Sequence, residues 1–185
     1  MRIAVASLKS VSPYSQSRPI QSIKSRDETH DDFEQRTWKE RCHADADGMV
    51  FIPPMSFKNS IAEAAKYKSI QIPGKGKSTY TKHFEAGILC KEPLSINVKL
   101  PDVQGERLFV PADGRRGSGK RVWKTFPVFH AWAGKVEFLV LDELIDDEVF
   151  KSHLTDAGQF IGIGRFRPRN NGFYGRFLVE AVDWK

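Results

Sequence analysis

Alternating and periodic hydrophobic positions predict the first elements of the chain. The N-terminal alternation predicts a strand over residues 3–8, and residues 49–52 form a short apolar strand that ends at the following Pro-Pro pair. Apolar side chains at helical spacing, with Phe57 and Ile61 among them, predict a helix that Ser56 caps and that runs to about Lys68. We expect this helix to bury one apolar stripe against a sheet.

The second half of the chain repeats the order of strand, helix and strand. Strands are predicted at residues 87–91, 95–100, 107–110, 135–141 and 173–182. Asp146 is expected to cap a helix that buries Phe150, and Gly158 is expected to end it. Taken together, the two halves predict an α+β fold with a ferredoxin-like βαββαβ (RRM-like) core that carries long insertions.

Two polar stretches interrupt this order. Residues 19–47 are dense in charges of both signs and predict a thumb-like insertion outside the main core, partly helical over 33–41. Residues 73–85 begin with the flexible, basic run P-G-K-G-K-S-T-Y-T-K and predict a basic loop. We therefore expect one domain over residues 1–185, because the length suits a single core with insertions.

A glycine-rich segment at residues 158–177 is the most distinctive stretch of the chain. It reads G-Q-F-I-G-I-G-R-F-R-P-R-N-N-G-F-Y-G-R-F and contains no acidic residue. Glycine lets another backbone approach closely, arginine binds phosphate through a planar fork, and aromatic rings stack on bases. The segment therefore favours contact with a nucleic-acid backbone. The alternative from the same residues is a β-hairpin that turns at Asn170-Asn171-Gly172 and carries ordinary solvated arginines.

Two other runs resemble phosphate-binding P-loops, and spacing excludes both. For Gly76-Lys77-Ser78 the motif requires glycine where Gln71 stands. The run from Gly114 to Lys120 is followed by Arg121, so the hydroxyl that binds magnesium is missing. Both runs remain candidates for cationic loops along a nucleic-acid path.

Composition adds a moderate basic excess and a redox expectation. The net charge is +6 and the isoelectric point is about 9.3, which favours polyanionic partners if the excess is gathered on one face. Cys42 and Cys90 have no metal-binding spacing and no disulfide framework, and no long apolar run occurs. We expect reduced thiols, no membrane partner and a cytoplasmic location.

Two motifs resemble those of the RAMP superfamily, the ferredoxin-like RNA-binding proteins of CRISPR systems. The glycine-rich segment is similar to the loop that this superfamily places between its second helix and last strand. Residues 50–65, V-F-I-P-P-M-S-F-K-N-S-I-A-E-A-A, resemble the I-P-x-S-S-L-K-G-x-x-R signature of the backbone subunits of CRISPR effectors. Lys58 stands at the lysine of the signature, whereas Asn59 replaces its glycine and the later arginine is absent.

The resemblance implies a trimmed backbone subunit that binds single-stranded RNA, assembles head to tail along the strand and acts in a ribonucleoprotein. The chain also resembles uncharacterised proteins of phages and mobile elements, which implies such an origin. From the residues alone, RNA and single-stranded DNA remain equally open as ligands, because the contacts to the 2′-hydroxyl depend on geometry.

The predicted nucleic-acid interface combines cationic side chains, glycines, aromatic rings and one side-chain amide. No cofactor is predicted. Its residues are Lys58, Lys75, Lys77, Arg115, Arg116, Lys120, Arg121, Gly162, Gly164, Arg165, Phe166, Arg167, Arg169, Asn170, Phe173, Tyr174 and Arg176.

Two other functions remain open at this stage. One is an endoribonuclease on the same fold, and the other is a protein-interaction module that mimics or inhibits a CRISPR effector subunit. Five histidines are present, but their spacings match no metal site or catalytic triad, so we assign no catalytic residue and no metal. His83 and Asp113, each beside a basic residue, are the nearest to catalytic candidates. Trp123, Phe126, Phe129 and Trp132 are predicted to be packing residues.

Overall fold

The computed structural model describes residues 1–114, 117 and 119–185 and shows a mixed α+β fold with antiparallel sheets. Its strands are β1 (Arg2–Ser10), β2 (Tyr14–Ser15), β3 (Met49–Ile52), β4 (Ile88–Cys90), β5 (Leu94–Lys99), β6 (Gln104–Pro111), β7 (Arg121–Phe129), β8 (Ala133–Val140) and β9 (Phe177–Trp184). Its α-helices are α1 (His30–Thr37), α2 (Pro54–Lys68), α3 (Thr81–Ala86) and α4 (Asp147–Asp156).

The main sheet has four strands in the order β4-β8-β1-β9, with every neighbouring pair antiparallel. Helix α2 lies between β1 and β4 in the chain, and α4 lies between β8 and β9. Alternation on β1 buries Ala4, Ala6 and Leu8, while helical spacing on α2 buries Phe57 and Ile61, and all five belong to one hydrophobic core. The apolar face of β1 and the apolar stripe of α2 are therefore both buried in this core.

Two smaller sheets extend this core. Strands β6 and β7 form an antiparallel hairpin with β2 on the outer side of β7, and β3 pairs with β5. In the hairpin, Phe109 stands opposite Trp123 and Leu108 opposite Lys124. Because successive side chains point to opposite faces, the hairpin presents two different surfaces.

The helix caps show one confirmed expectation and two corrections. Asp146 caps α4 by accepting a hydrogen bond from the Val149 amide at 2.8 Å. Helix α2 starts three residues earlier than predicted, so Ser56 lies inside it and Pro53 is the cap residue. The fixed φ of Pro54 suits the first helical turn, so the helix begins at that proline. Gly158 does not end α4, because a π-helical turn at Ala157–Ile161 continues it to Gly162.

The predicted insertion at residues 19–47 is helical where expected, with α1 followed by a 3₁₀ turn at Trp38–Arg41. However, its second half is not outside the fold, since Cys42 belongs to the core and Trp38 packs against it. Arg41 and Glu34 are also buried and form an ion pair at 2.9 Å. The mutual neutralisation of these charges permits a polar sequence to pack inside.

Two element boundaries and the burial of one aromatic residue also differ from the sequence prediction. The closing strand begins at Phe177 and not at residue 173, because the residues before it form a folded loop. The basic loop predicted over 73–85 gives way to α3, which buries Phe84. Phe126, Phe129 and Trp132 are buried as expected, but Trp123 is 51% exposed and lies outside the buried core. No helix in the described part of the chain is long and apolar enough to cross a membrane.

Candidate nucleic-acid interface

The glycine-rich segment leaves α4 through its π-helical turn and folds into a compact loop before β9. Within it, residues 168–170 form a 3₁₀ turn, and Asn171 adopts a left-handed φ of 56°. The alternative of a β-hairpin turning at Asn170-Asn171-Gly172 is therefore wrong, because no strand precedes that turn in this described segment. Proline at residue 168 fixes an early turn and prevents a regular ladder.

The glycines of this loop serve close contacts within the chain. A Cβ at Gly175, where φ is +80°, would collide with the carbonyl oxygen of Ile163. A Cβ at Gly164 would collide with the Ser15 carbonyl, and one at Gly162 would stand 2.6 Å from Cδ of Pro168. Gly162 and Gly164 belong to the predicted interface, where glycine was expected to let a nucleic-acid backbone approach closely. The atoms that approach these two glycines are instead the protein's own.

Backbone hydrogen bonds fix this loop to the start of the chain. The Arg165 amide donates to the Ser15 carbonyl at 2.8 Å, and the Gly175 amide donates to the Pro13 carbonyl at 2.7 Å. Inside the loop, the Ile163 amide donates to the Gly175 carbonyl at 3.0 Å. The side chains of the loop are therefore presented on a preorganised backbone.

Arg165 is the most enclosed cation of the segment. Its guanidinium lies over the ring of Phe126, 3.7 Å from the centroid, and 5.4 Å from the ring centroid of Tyr174. Burial lowers the pKa of Arg165, and the nearby charge of Arg41 lowers it further, although Tyr174 and Glu106 act in the opposite direction.

Arg167 and Arg169 point the other way, toward α2. Glu63 accepts a hydrogen bond from Arg167 Nη2 at 2.7 Å and lies 3.3 Å from Arg169 Nε. Arg169 also lies over the ring of Tyr67, with its Cζ 5.4 Å from the centroid. The glycine-rich segment has no acidic residue of its own. Its two arginines pair instead with a carboxylate on α2, about one hundred residues earlier in the chain.

The aromatic residues of the segment divide into two exposed rings and one enclosed ring. Phe166 is 43% exposed and Phe173 is 58% exposed, whereas Tyr174 is buried at 9%. The Tyr174 hydroxyl donates a hydrogen bond to Glu106 on β6. Burial and this bond together raise the pKa of Tyr174 to about 12. Arg176 is half-buried, and its Nε donates to the Gln159 carbonyl at 3.3 Å.

A cavity of about 690 Å³ separates the glycine-rich segment from the β6–β7 hairpin. Arg165, Phe166 and Asn170 line it from the segment, and the hairpin contributes Arg121 and Lys124. Among the residues that the structure describes, four cations line this cavity, and they are Arg41, Arg121, Lys124 and Arg165. Concentrated positive charge beside aromatic rings is suited to a polyanion that carries stacking bases.

The remaining predicted cations lie elsewhere. Lys58 and Arg169 line a second cavity of about 550 Å³ on the outer side of α2. Lys75 and Lys77 are exposed in the turn before α3, and Lys120 is exposed before β7. Arg115 and Arg116 lie outside the described residues. The structure thus divides the predicted interface into at least two surfaces.

Sequence reasoning missed the outer face of the hairpin. There the rings of Phe109 and Trp123 lie 5.2 Å apart, and both are about half exposed. Arg107 lies 5.2 Å from the Trp123 centroid, and Arg121 lies 5.7 Å from the Phe109 centroid. In each strand an arginine stands two positions before an aromatic residue, as R-L-F in β6 and R-V-W in β7, and this spacing was the signal that could have identified the surface. Arg41, Lys124 and Phe126 were missed because they join the cavity only through tertiary packing.

Groups with potential for chemistry lie apart from these surfaces or are inert. His83 Nδ1 stands 2.6 Å from Asp142 Oδ2, while His153 is buried. The described residues contain no cluster of three potential metal ligands. Cys42 and Cys90 are free and buried, and burial raises the pKa of each thiol to about 12. Both cysteines are therefore protonated and unreactive in the folded protein.

Comparison with known proteins identifies no family. No family model matches the chain, and no curated protein matches its sequence. Among solved structures, the chain is similar to one described as "CRISPR RNA-guided surveillance complex", with a TM-score of 0.45 and 9% identity over 98% of this chain and 68% of the other. Function must therefore be argued from the residues of this chain.

Proposed function

We propose that this chain is a non-catalytic protein that binds single-stranded nucleic acid without sequence specificity, with RNA as the preferred strand. The observation that carries the proposal is the cavity in which Arg165 and Phe166 face Arg121 and Lys124. Cations contact phosphates and aromatic rings stack on any base, so neither interaction depends on sequence.

The exposed rings extend this surface beyond the cavity. Phe173 continues it along the glycine-rich segment, and Phe109 with Trp123 offers a second stacking face on the hairpin. Arginine beside exposed aromatic rings is typical of surfaces that track a flexible single strand. The glycines support this role indirectly, because they hold Arg165 and Phe166 in fixed positions.

The proposal includes the fold that the RAMP resemblance implies, with residues 1–185 as one RAMP-like domain. The six elements of its ferredoxin-like core would be β1, α2, β4, β8, α4 and β9. The antiparallel order of these four strands and the two helices between them support this assignment. The sheets formed by β2, β6 and β7 and by β3 and β5 would then be insertions that supply the interface.

We test the proposal by fluorescence anisotropy with labelled unstructured RNA, single-stranded DNA and duplex DNA of equal length at several salt concentrations. We expect RNA to bind most tightly and the affinity to fall steeply with salt. The double variant Arg121→Gln/Lys124→Gln should reduce the salt slope by about 1.4, which is two contacts at about 0.7 each. The control Lys91→Gln/Lys135→Gln changes the same charge at exposed positions near the opposite edge of the main sheet and should bind normally.

Two results would overturn this function. Failure of every strand to bind at low salt would indicate that the cavity faces a protein partner. An equal loss of affinity in the double variant and its control would indicate that net charge alone, and not this cavity, attracts the strand.

We further propose that the chain acts as a homo-oligomer along the strand or as a subunit of a ribonucleoprotein. The support is that the proposed contacts to phosphates and base faces do not depend on nucleotide sequence, so several copies can bind along one strand. Light scattering of complexes with strands of increasing length should show the protein mass rising in steps. One protein per strand at every length would contradict assembly along the strand.

One observation favours an endoribonuclease as a second candidate function. Asp142 can orient His83 as a general base, because the two side chains are within hydrogen-bonding distance at 2.6 Å. A gel of the RNA after incubation tests this function. If shortened products appear with the wild type and disappear with His83→Gln while binding is retained, the chain is an endoribonuclease and not a non-catalytic binding protein.

A further inference from the structure

Two arginines in the wall of the cavity each have a nitrogen without a hydrogen-bond partner. These atoms are Arg41 Nη1 and Arg165 Nη2, and neither has a partner among the residues that the structure describes. Both side chains line the same cavity. An unsatisfied buried donor costs about 1–3 kcal/mol, and more when it is charged, so this arrangement points to a missing acceptor.

Arg41 is held in place from its other side. Its Nη2 donates to Glu34 Oε2 at 2.9 Å, and Glu34 Oε1 accepts from the Thr125 amide at 2.6 Å. The residue is only 6% exposed, and its guanidinium lies 5.1 Å from the ring centroid of Phe126. Because Glu34 is occupied by two donors, it orients Arg41 and leaves Nη1 for another acceptor.

Arg165 approaches the same ring from the glycine-rich segment. Its Cζ lies 3.7 Å from the Phe126 centroid, and its Nε donates weakly to Ser15 Oγ at 3.4 Å. The backbone of Arg165 is fixed by the Ser15 carbonyl, so the side chain cannot move far from the cavity. Two guanidinium groups therefore stand around one aromatic ring.

The charge around these groups is unbalanced. Arg121 and Lys124 add two positive charges to the same wall. The acidic neighbours that the structure describes are Glu34, which pairs with Arg41, and Glu106, which accepts the Tyr174 hydroxyl. Among these described residues, two carboxylates against four cations leave an excess of about two positive charges, which a doubly charged anion would neutralise.

We propose that Arg41 and Arg165 form a phosphate-binding site in this cavity and clamp a single phosphate group between their two guanidinium forks. A phosphate has enough oxygen acceptors for two forks at once, and arginine binds it through paired, charge-assisted hydrogen bonds. Since both free nitrogens are buried, the side chains must part slightly to admit an oxygen. Once inside, that oxygen would be shielded from water and strongly bound.

This inference rests on the proposed function in one respect, because a nucleic-acid strand would be the natural source of the phosphate. The shared chemistry is a phosphate group, which a strand end, an internal phosphodiester or a free nucleotide can supply. Arg41 and Arg165 would contact the ligand directly. Glu34 is a positioning residue that acts through Arg41.

The first experiment uses inorganic phosphate as the probe and the full chain as the protein. Thermal unfolding is followed with increasing phosphate while chloride keeps the ionic strength constant. We expect phosphate to raise the Tm in a saturable way. Arg165→Gln should weaken phosphate binding about tenfold or more, and Arg165→Lys should recover only part of it, because lysine keeps the charge and loses the fork.

The control is Arg36→Gln, which makes the same change on α1, where the arginine pairs with Glu28 and is half exposed. It should leave the response to phosphate unchanged. Because Arg41→Gln alone would leave Glu34 buried and unpaired, it is tested as Arg41→Gln/Glu34→Gln with folding checked by circular dichroism. If this double variant does not fold, the two Arg165 variants decide the question.

The second experiment separates the sources of the phosphate. Anisotropy compares a short RNA with a 5′-phosphate to the same RNA with a 5′-hydroxyl, in wild type and in Arg165→Gln. A preference for the 5′-phosphate that Arg165→Gln abolishes assigns the site to a strand end. Equal binding of both strands, reduced equally by the variant, assigns it to an internal phosphodiester.

The outcomes distinguish this inference from the proposed function. Absence of a saturable Tm shift, or equal responses of Arg165→Gln and Arg36→Gln, overturns the phosphate site even if strands bind. A phosphate response that depends on Arg165, together with no binding of any strand, keeps the site and overturns the strand-binding function. The site would then belong to a small phosphorylated ligand.

Discussion

Glu63 on α2 accepts a hydrogen bond from Arg167 at 2.7 Å and thereby ties the glycine-rich segment to the first long helix of the chain. The same carboxylate lies 3.3 Å from Arg169. Two arginines that the sequence suggested as phosphate contacts are thus already engaged within the protein.

Replacing Glu63 by glutamine should release both arginines for a strand. We expect Glu63→Gln to increase affinity for single-stranded RNA and to steepen the salt slope by about 0.7–1.4, since one or two phosphate contacts are added. The effect on stability should be small, about 1 kcal/mol or less, because the ion pair is partly solvated. Anisotropy across a salt series measures both changes.

The control for this prediction is Glu137→Gln, which frees Lys185 from a comparable pair at 2.9 Å on the main sheet. It should leave the salt slope unchanged. A slope in Glu63→Gln equal to that of wild type would place Arg167 and Arg169 away from the strand.

Gly175 should be essential for folding of the segment. In Gly175→Ala the new methyl collides with the Ile163 carbonyl, and alanine must adopt the φ of +80° that glycine has there. We therefore expect a loss of about 2–4 kcal/mol in the free energy of unfolding. Urea denaturation measures this loss. The matched control is Gly76→Ala, which has a φ of +62° and no neighbour within 4 Å, and it should lose only about 1 kcal/mol. Equal losses would show that the backbone angle alone, and not the close approach, requires glycine.

Tyr174 should keep its proton well into the alkaline range. Burial and the hydrogen bond to Glu106 raise its pKa from 10.0 to about 12. The folded state therefore keeps its proton after the unfolded state has lost one, so stability should fall as the pH rises from about 10 through about 12. Ultraviolet absorbance should show this late titration, and Glu106→Gln should shift it toward lower pH.

Two variants check the origin of this alkaline loss. Tyr174→Phe should make the fall of the unfolding free energy with pH less steep in that interval, and the share that comes from the buried thiols of Cys42 and Cys90 should remain. Tyr67→Phe, at a position that is 54% exposed, should retain it. A profile that is the same in both variants would attribute the loss to other groups.

His153 should make the fold sensitive to mild acid. It is 1% exposed, stacks on Phe84 at 4.4 Å, and its Nδ1 hydrogen-bonds the Val149 carbonyl at 2.7 Å. Burial lowers its pKa from 6.5, so the unfolded state takes up a proton first as the pH falls. Stability due to neutral His153 is therefore complete above about pH 6.5 and declines below it.

Urea denaturation between pH 7 and pH 5 tests this decline. His153→Gln should show a flatter profile than wild type, because the titrating group is gone. His30→Gln, at an exposed position, should keep the wild-type profile. An unchanged slope in His153→Gln would assign the acid sensitivity to another residue.

Periodicity along the chain predicted the elements with long, regular patterns. Residues 3–8 and 135–140 are strands, and Phe57 with Ile61 forms the buried stripe of α2, because alternation and helical spacing act locally. The cap at Asp146 also followed from its neighbours alone. Element ends were less predictable at Ser56 and Gly158, since proline and a π-helical turn moved them.

The sequence predicted which types of residue form the candidate site, but it did not predict how these residues are arranged in space. The sequence identified Arg165 and Phe166 within a cationic, glycine-rich segment, and both line the cavity. It could not show that Glu63 neutralises Arg167, because that carboxylate lies 104 residues away. Trp123 was misjudged because hydrophobicity favours burial on average, whereas strand register decides which face is covered.

The sequence by itself determined where regular structure forms, which faces of it are apolar, and where positive charge and glycine are concentrated. Only the tertiary structure decided which charges remain unpaired. Glu34 and Arg41 lie far along the chain from Arg165, and packing around Phe126 brings the two arginines into one wall. The physical reason is that hydrophobic periodicity depends on neighbouring residues, whereas electrostatic pairing depends on distances that exist only after the chain has folded.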